Sequence, residues 1–182
     1  ETETMAVPVY KQSIEQQRMA AQDITPIVHV TANKIQSALP QRAFTVLLDS
    51  GSTHTLTKKP SLPFGAIPNK GKAKRTTTTM GSFDSSSTVN SQEVKSPQFG
   101  NCIIGNVKAD VFDSPACRYD LIVGRDILLT MGINLDFQSK STKWMGHEVP
   151  MKSTTSIQHD VRQAEQYSAY YQLKEEEDLL LL

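Results

Sequence analysis

The sequence predicts an all-β domain with a single short helix. Three observations carry that prediction. Apolar, β-branched runs such as Phe44-Thr-Val-Leu-Leu48 and Leu121-Ile-Val123 are short and have no helical period. Stretches such as Val107-Lys-Ala-Asp-Val111 and Ile133-Asn-Leu-Asp-Phe137 alternate apolar with polar residues, the signature of a half-buried strand. Ile127-Leu-Leu-Thr-Met131 reads as the short helix, with Gly132 following it as a left-handed stop.

In chain order, residues 1–22 are polar and form a leader, within which Tyr10 to Gln22 suits a short surface helix. Ile27-Val-His-Val-Thr-Ala32 is the first strand, and His29 is a structural passenger in it. Pro40-Gln-Arg42 turns the chain into a second strand, which runs straight into Asp49-Ser50-Gly51-Ser52-Thr53. A carboxylate placed there is carried into a low-dielectric position. Gly51 lets the backbone turn sharply and approach closely, so that main-chain N–H groups can point at the carboxylate oxygens, and Ser50 and Ser52 bring further donors. Two such loops facing each other would give paired carboxylates sharing one proton. The chain holds one such loop, so a second Asp49 would have to come from another copy. Asp-Ser-Gly-Ser is also an ordinary turn composition; the apolar run ahead of it puts this turn at the end of a core strand rather than at an exposed hairpin tip.

His54 stands near Ser52 and Asp49, but a Ser/His/Asp triad is assembled from separate parts of a fold, and adjacent strand-end residues cannot adopt its geometry. Lys70-Gly-Lys-Ala-Lys-Arg75 reads as a solvated loop. Thr76 to Val94 reads as a long, poorly buried hairpin with its tip around Gly81 to Ser87. It is either a cover that closes over an extended peptide or a flexible surface loop, and composition does not separate the two. After the Leu121–Gly124 strand and the short helix, Lys143 to Met151 forms a hairpin that closes the sheet. Residues 153–182 form a helical or disordered tail leading to a further region. The expected organisation is therefore a leader over 1–22, one domain over 23–152 and the tail.

Composition narrows the function classes. A chain of 182 residues with 38% apolar and 21% charged residues holds one domain with a real core. Its formal net charge of zero gives no basic excess for nucleic acid. Cys102 and Cys117 are too few and too far apart for a metal knuckle or a disulfide scaffold, and read as reduced thiols of an intracellular protein. No run reaches membrane-spanning length, and the first residues carry no secretory signal. The absence of an initiator Met reads as a piece cut from a longer chain.

An acidic loop after an apolar strand, a candidate flap, and then apolar-apolar-Gly followed by a short helix occur in the order and spacing of a retropepsin. The residues are Leu47-Leu-Asp-Ser-Gly-Ser-Thr53, Tyr119-Asp-Leu-Ile-Val-Gly-Arg-Asp-Ile-Leu128, Met131-Gly-Ile-Asn-Leu-Asp-Phe137, and Trp144-Met145 with Val149-Pro-Met151. Over about residues 25–152 the chain resembles the protease domains of retroviruses and, more closely, of gypsy-type retrotransposon polyproteins. The resemblance implies a retropepsin-like closed barrel, the acid protease fold, with one short helix, forming one half of a symmetric homodimer. It implies Asp49 as the catalytic aspartate and no metal or cofactor. Ser50 would hydrogen-bond across to its mate, while Gly51 would offer its amide, and Ser52 its hydroxyl, to the carboxylate. Met80, Gly81, Ser82 and Phe83 would belong to the flap over the substrate. Leu121, Ile122, Val123, Gly124 and Arg125 would support the active-site loop. The implied partners are a second copy and an extended polyprotein segment, with no membrane and no direct nucleic acid, in the cytoplasm and within virus-like particles. In one respect the chain departs from retroviral relatives: Ser52, Thr53 and His54 stand where an acid often pairs with the arginine of Gly-Arg, which leaves Arg125 to pair with Asp126 or Asp120. Two rivals stand beside this reading. One is a cellular retropepsin-like protease of the ubiquitin-shuttle kind, and the other a non-catalytic β-barrel module for dimerisation or interaction, in which Asp49 is only a turn residue.

Overall fold

The computed structural model describes residues 6–20, 24–32, 43–62, 68–90, 93–153 and 180. These are mostly strand. Ile27–Ala32 (β1) and Ala43–Leu48 (β2) pair antiparallel, with Ile27 opposite Leu47 and Thr31 opposite Ala43. Leu56–Lys58 (β3) follows the Asp49 loop, and Asn69–Thr78 (β4) and Gly81–Asn90 (β5) form a long hairpin. Val94–Ser96 (β6), Cys102–Ile104 (β7), Lys108–Phe112 (β8) and Leu121–Val123 (β9) complete a nine-stranded sheet in the order β4-β5-β8-β3-β9-β2-β1-β6-β7. Asn134–Asp136 (β10), Ser141–Trp144 (β11) and His147–Pro150 (β12) form a separate antiparallel sheet.

The central strands read as unbroken apolar runs because both of their faces are covered. Side chains alternate across a strand, so Val46 and Leu48 join Val28, Val30 and Val123 on one face, beneath Leu128, Trp144 and Val149. Leu47 goes to the other face with Ile27, Leu56, Ile122, Phe112 and Tyr119. Each such side chain contributes about 1.5–3 kcal/mol of burial, which makes β2 and its parallel neighbour β9 the most firmly placed segments near Asp49.

The helix over Arg125–Met131 (α2) ends as its sequence predicts. Gly132 adopts φ 66° and ψ 34°, its N–H donates back to Leu129, and the Ile133 N–H donates to the Leu128 carbonyl. Trp144 Nε1–H caps the same end by donating to the Met131 carbonyl at 2.8 Å and meets Phe99 edge-on. Thr25 and Lys152 exchange both main-chain hydrogen bonds at 2.9 Å, joining the start of the body to its end. Ile14–Ala20 is a second short helix (α1).

Several expectations need correction. The large sheet is open rather than a closed barrel: among the described residues no pairing joins the edge strands β4 and β7. Lys70–Arg75 is part of β4 rather than a loop, a solvated edge strand whose exposed face tolerates charge. Strand β8, expected to be half-buried, is buried from Ala109 to Phe112, and its Asp110 is accommodated by an ion pair with Lys74 at 2.7 Å. The predicted tail lies outside the described residues beyond Ser153, apart from Leu180. No helix among the described residues is long and apolar enough to cross a membrane.

Candidate active site

The site is built where two parallel strands end side by side. Val46, Leu47 and Leu48 of β2 register with Leu121, Ile122 and Val123 of β9, so the segments that leave them, the Asp49–Thr55 loop and Gly124 with the first turn of α2, emerge at one edge and cross. Asp49 is 3% exposed. Its main chain continues the ladder through a 2.9 Å bond from its N–H to the Val123 carbonyl, and the Ser52 N–H returns to the Asp49 carbonyl at 3.1 Å, closing a tight turn.

A buried carboxylate needs donors, since an unpaired charge away from water is strongly disfavoured. Oδ1 accepts the Gly51 N–H at 2.8 Å. A Cβ on Gly51 would stand 3.0 Å both from that oxygen and from Thr79 Cγ2, so any larger residue would push on the carboxylate and on the hairpin tip. Oδ2 accepts two hydrogen bonds from the hairpin tip, the Thr79 N–H and the Thr79 hydroxyl, each at 2.9 Å.

The second loop is laced to the first. Arg125 N–H donates to the Ser52 carbonyl at 2.8 Å. Gly124 N–H donates to Thr55 Oγ1 at 3.1 Å, while the Thr55 hydroxyl and N–H donate to the two Asp126 oxygens at 2.8 and 3.0 Å. The loops touch main chain to main chain: a Cβ on Gly124 would lie 2.5 Å from the His54 carbonyl oxygen.

The structure thus brings Asp49, Gly51, Val123, Gly124 and the Arg125 main chain together, with Leu121 and Ile122 in the strand beneath them. Ser50 sits exposed at the turn. The Ser52 hydroxyl turns away from the carboxylate and donates to the His54 carbonyl at 2.7 Å, because a fully buried hydroxyl takes the nearest acceptor. Arg125 pairs with neither expected acid: Asp126 is engaged by Thr55, and Asp120 receives the Thr45 N–H and the Ser61 hydroxyl.

The hairpin also differs in detail. Thr78 pairs with Gly81, so the turn is Thr79–Met80. Gly81 and Ser82 already belong to β5. Phe83 packs on Phe112 with ring centroids 4.5 Å apart, an anchor more than a mobile tip. Sequence reasoning missed Thr79 and Thr55, and named Asp126 only as a partner for Arg125 rather than for Thr55. For Thr79 a signal existed: a glycine opening the second strand of a tight hairpin places the turn just before it. For Thr55 and Asp126 there was none, as their pairing joins residues distant in the chain. Among the described residues no cluster of three His, Cys, Asp or Glu side chains could hold a metal ion.

No family model matches the chain, and no curated protein matches it. Among solved structures, the chain is similar to the crystal structure of the retroviral protease-like domain of Ddi1 from Leishmania major, at 14% sequence identity and a TM-score of 0.47, with 72% of this chain and 96% of that chain covered.

Proposed function

We propose that the chain is an aspartic endopeptidase of the retropepsin type, active as a symmetric homodimer in which each copy supplies one Asp49. The observation that carries this reading is the Asp49 carboxylate itself: buried at the end of a core strand, held by the Gly51 amide, and reached by the tip of a long hairpin. A turn residue placed for local reasons alone would face water. A carboxylate this enclosed is poised for chemistry that needs a dry, oriented acid–base group.

In the dimer, the two Asp49 side chains would share one proton and hold a water between them. The ionised member takes a proton from that water as it attacks the scissile carbonyl, and the protonated member polarises the carbonyl oxygen. Collapse of the tetrahedral intermediate then returns a proton to the leaving amine. The Gly51 amide orients the carboxylate, and the laced Gly124–Asp126 segment keeps the loop from shifting. The substrate would be an extended strand of a retrotransposon-type polyprotein, taken between the hairpins by main-chain pairing.

The test is cleavage of an unfolded protein by wild type and Asp49→Asn over a range of enzyme concentrations. Cleavage that falls by about a thousandfold or more in the variant, and that rises more steeply than linearly with enzyme concentration, is expected. Equal turnover by both proteins would remove Asp49 from catalysis. A non-catalytic module would also fail to bind a statine-type transition-state mimic, whose affinity depends on the paired carboxylates.

A further inference from the structure

The Asp49 carboxylate is satisfied within a single chain, and by an unexpected donor. Each carboxylate oxygen offers about two acceptor positions. Oδ1 uses one, for Gly51. Oδ2 uses both, for the N–H and the hydroxyl of Thr79. Any water, substrate atom or second carboxylate that is to meet Oδ2 must therefore displace Thr79 first.

The contact is placed so that it can be released. Thr79 is itself exposed, at the end of a hairpin whose β4 strand is solvated from Asn69 to Arg75 and turns Thr76 and Thr78 inward nearer the tip. The hairpin is fastened well behind the tip: Thr88, Val89 and Asn90 pair with Asp110, Ala109 and Lys108 of β8, Lys74 is paired with Asp110, and Phe83 rests on Phe112. Among the described residues, the hydrogen bonds that tie the tip ahead of Phe83 to the body are the two to Asp49, and the side chain buried there is the short, polar Thr78. Lifting it costs those bonds and the burial of Thr78, but no large apolar side chain.

We infer that Thr79 is a latch: in the single chain the hairpin tip occupies Asp49 and keeps it out of reaction, and assembly of the dimer with substrate exchanges Thr79 for the second carboxylate and the water. This regulation rests on the aspartic protease reading. It makes excised single chains self-silenced, so that activity is confined to places where copies are concentrated.

The experiment compares wild type with Thr79→Val, which keeps the branched shape and the main-chain N–H and removes the hydroxyl; the position is exposed, so the fold is retained. Amide hydrogen exchange at position 79 and cleavage of an unfolded protein are both measured from dilute to concentrated enzyme. Loss of one hydrogen bond to a charged acceptor corresponds to about a tenfold or larger change. Exchange at position 79 is expected to quicken by about that factor. Cleavage by dilute Thr79→Val should exceed that by wild type about tenfold, with the gap narrowing as enzyme concentration rises. Unchanged exchange would show that the latch does not form in solution and overturn the inference. Faster exchange with equal or slower cleavage, against an active wild type, would overturn the gating role and leave the protease reading standing. Absence of cleavage by either protein at every concentration would overturn the protease reading, and the latch as a regulator with it.

Discussion

Gly124→Ala probes the crossing of the two loops directly. The backbone angle at this residue, φ −91°, suits alanine, so no conformational penalty arises. Space decides the outcome. The added Cβ would stand 2.5 Å from the His54 oxygen and 2.6 Å from its carbonyl carbon, where ordinary contact needs about 3.4 Å or more. Main chain must therefore move against main chain by close to an ångström. That motion acts on the Arg125–Ser52 bond at 2.8 Å, the Gly124–Thr55 bond at 3.1 Å, and the Thr55 bonds to Asp126. Losing one neutral bond costs about 0.5–1.5 kcal/mol and weakening one to a carboxylate costs up to about 3 kcal/mol, which brings the expected loss to about 2–4 kcal/mol. Urea unfolding of wild type and variant reads this as a drop in midpoint at unchanged slope. Because Ser52 belongs to the Asp49 turn, cleavage by the folded fraction should fall as well, by about a hundredfold for a displacement of this size. A loss below about 0.5 kcal/mol, within the range of ordinary surface substitutions, would refute the claim that the two loops are locked at this glycine.

Two other perturbations test the surroundings. In Lys74→Met the Asp110 side chain, 4% exposed, loses its cation, while the lysine is 41% exposed and water can reach the vacated position; the expected cost is about 1–3 kcal/mol. A second change, Asp110→Asn, should recover most of it, and a double variant no more stable in urea than the single one would contradict this account. In the β10–β11 hairpin, hydrogen bonds from Lys143 and from the Ser139 N–H hold the Asp136 carboxyl well below the usual carboxylate range. A carboxyl lowered on folding contributes stability above its ordinary value, and that contribution is lost as pH falls through the lower folded one. Asp136→Asn should therefore unfold at a lower temperature than wild type at pH 7, with the gap closing below about pH 4. A gap that persists unchanged at pH 2 would show that Asp136 acts by some means other than its charge.

What could be read from the sequence followed the range of the interactions concerned. Strands β1, β2 and β9, the helix stop at Gly132 and the placing of Asp49 at a strand end rest on nearest-neighbour chemistry, and the residues display it. Strand β8 was misjudged because its polar member, Asp110, looks solvent-facing until Lys74 is brought to it from a strand remote in the chain. The hydroxyl of Ser52 was given to the wrong acceptor because the competing one, the His54 carbonyl, is also local and no pattern ranks the two. Barrel closure was an expectation taken from a likeness, and no local feature of β4 or β7 encodes whether those edges meet.

The same distinction of range divides the carboxylate itself. Oδ1 is held by Gly51, two residues along a turn that Ser52 closes and that the second loop locks; its donor arrives with the strand and cannot leave without unfolding the crossing. Oδ2 is held by Thr79, whose approach depends on a hairpin fastened at its base and at Phe83, with short threonines buried nearer the tip. Bonds of similar length thus differ in what opposes their rupture. Breaking the first costs packing around β2 and β9, whereas breaking the second costs the bonds and the burial of the short Thr78 side chain. A group that must be held in one orientation and still be released to react is served by that asymmetry, with the permanent donor supplied locally and the exchangeable one from a distance. Motion at the site should therefore concentrate on the Thr79 side, with hydrogen exchange at Thr79 faster than at Gly51.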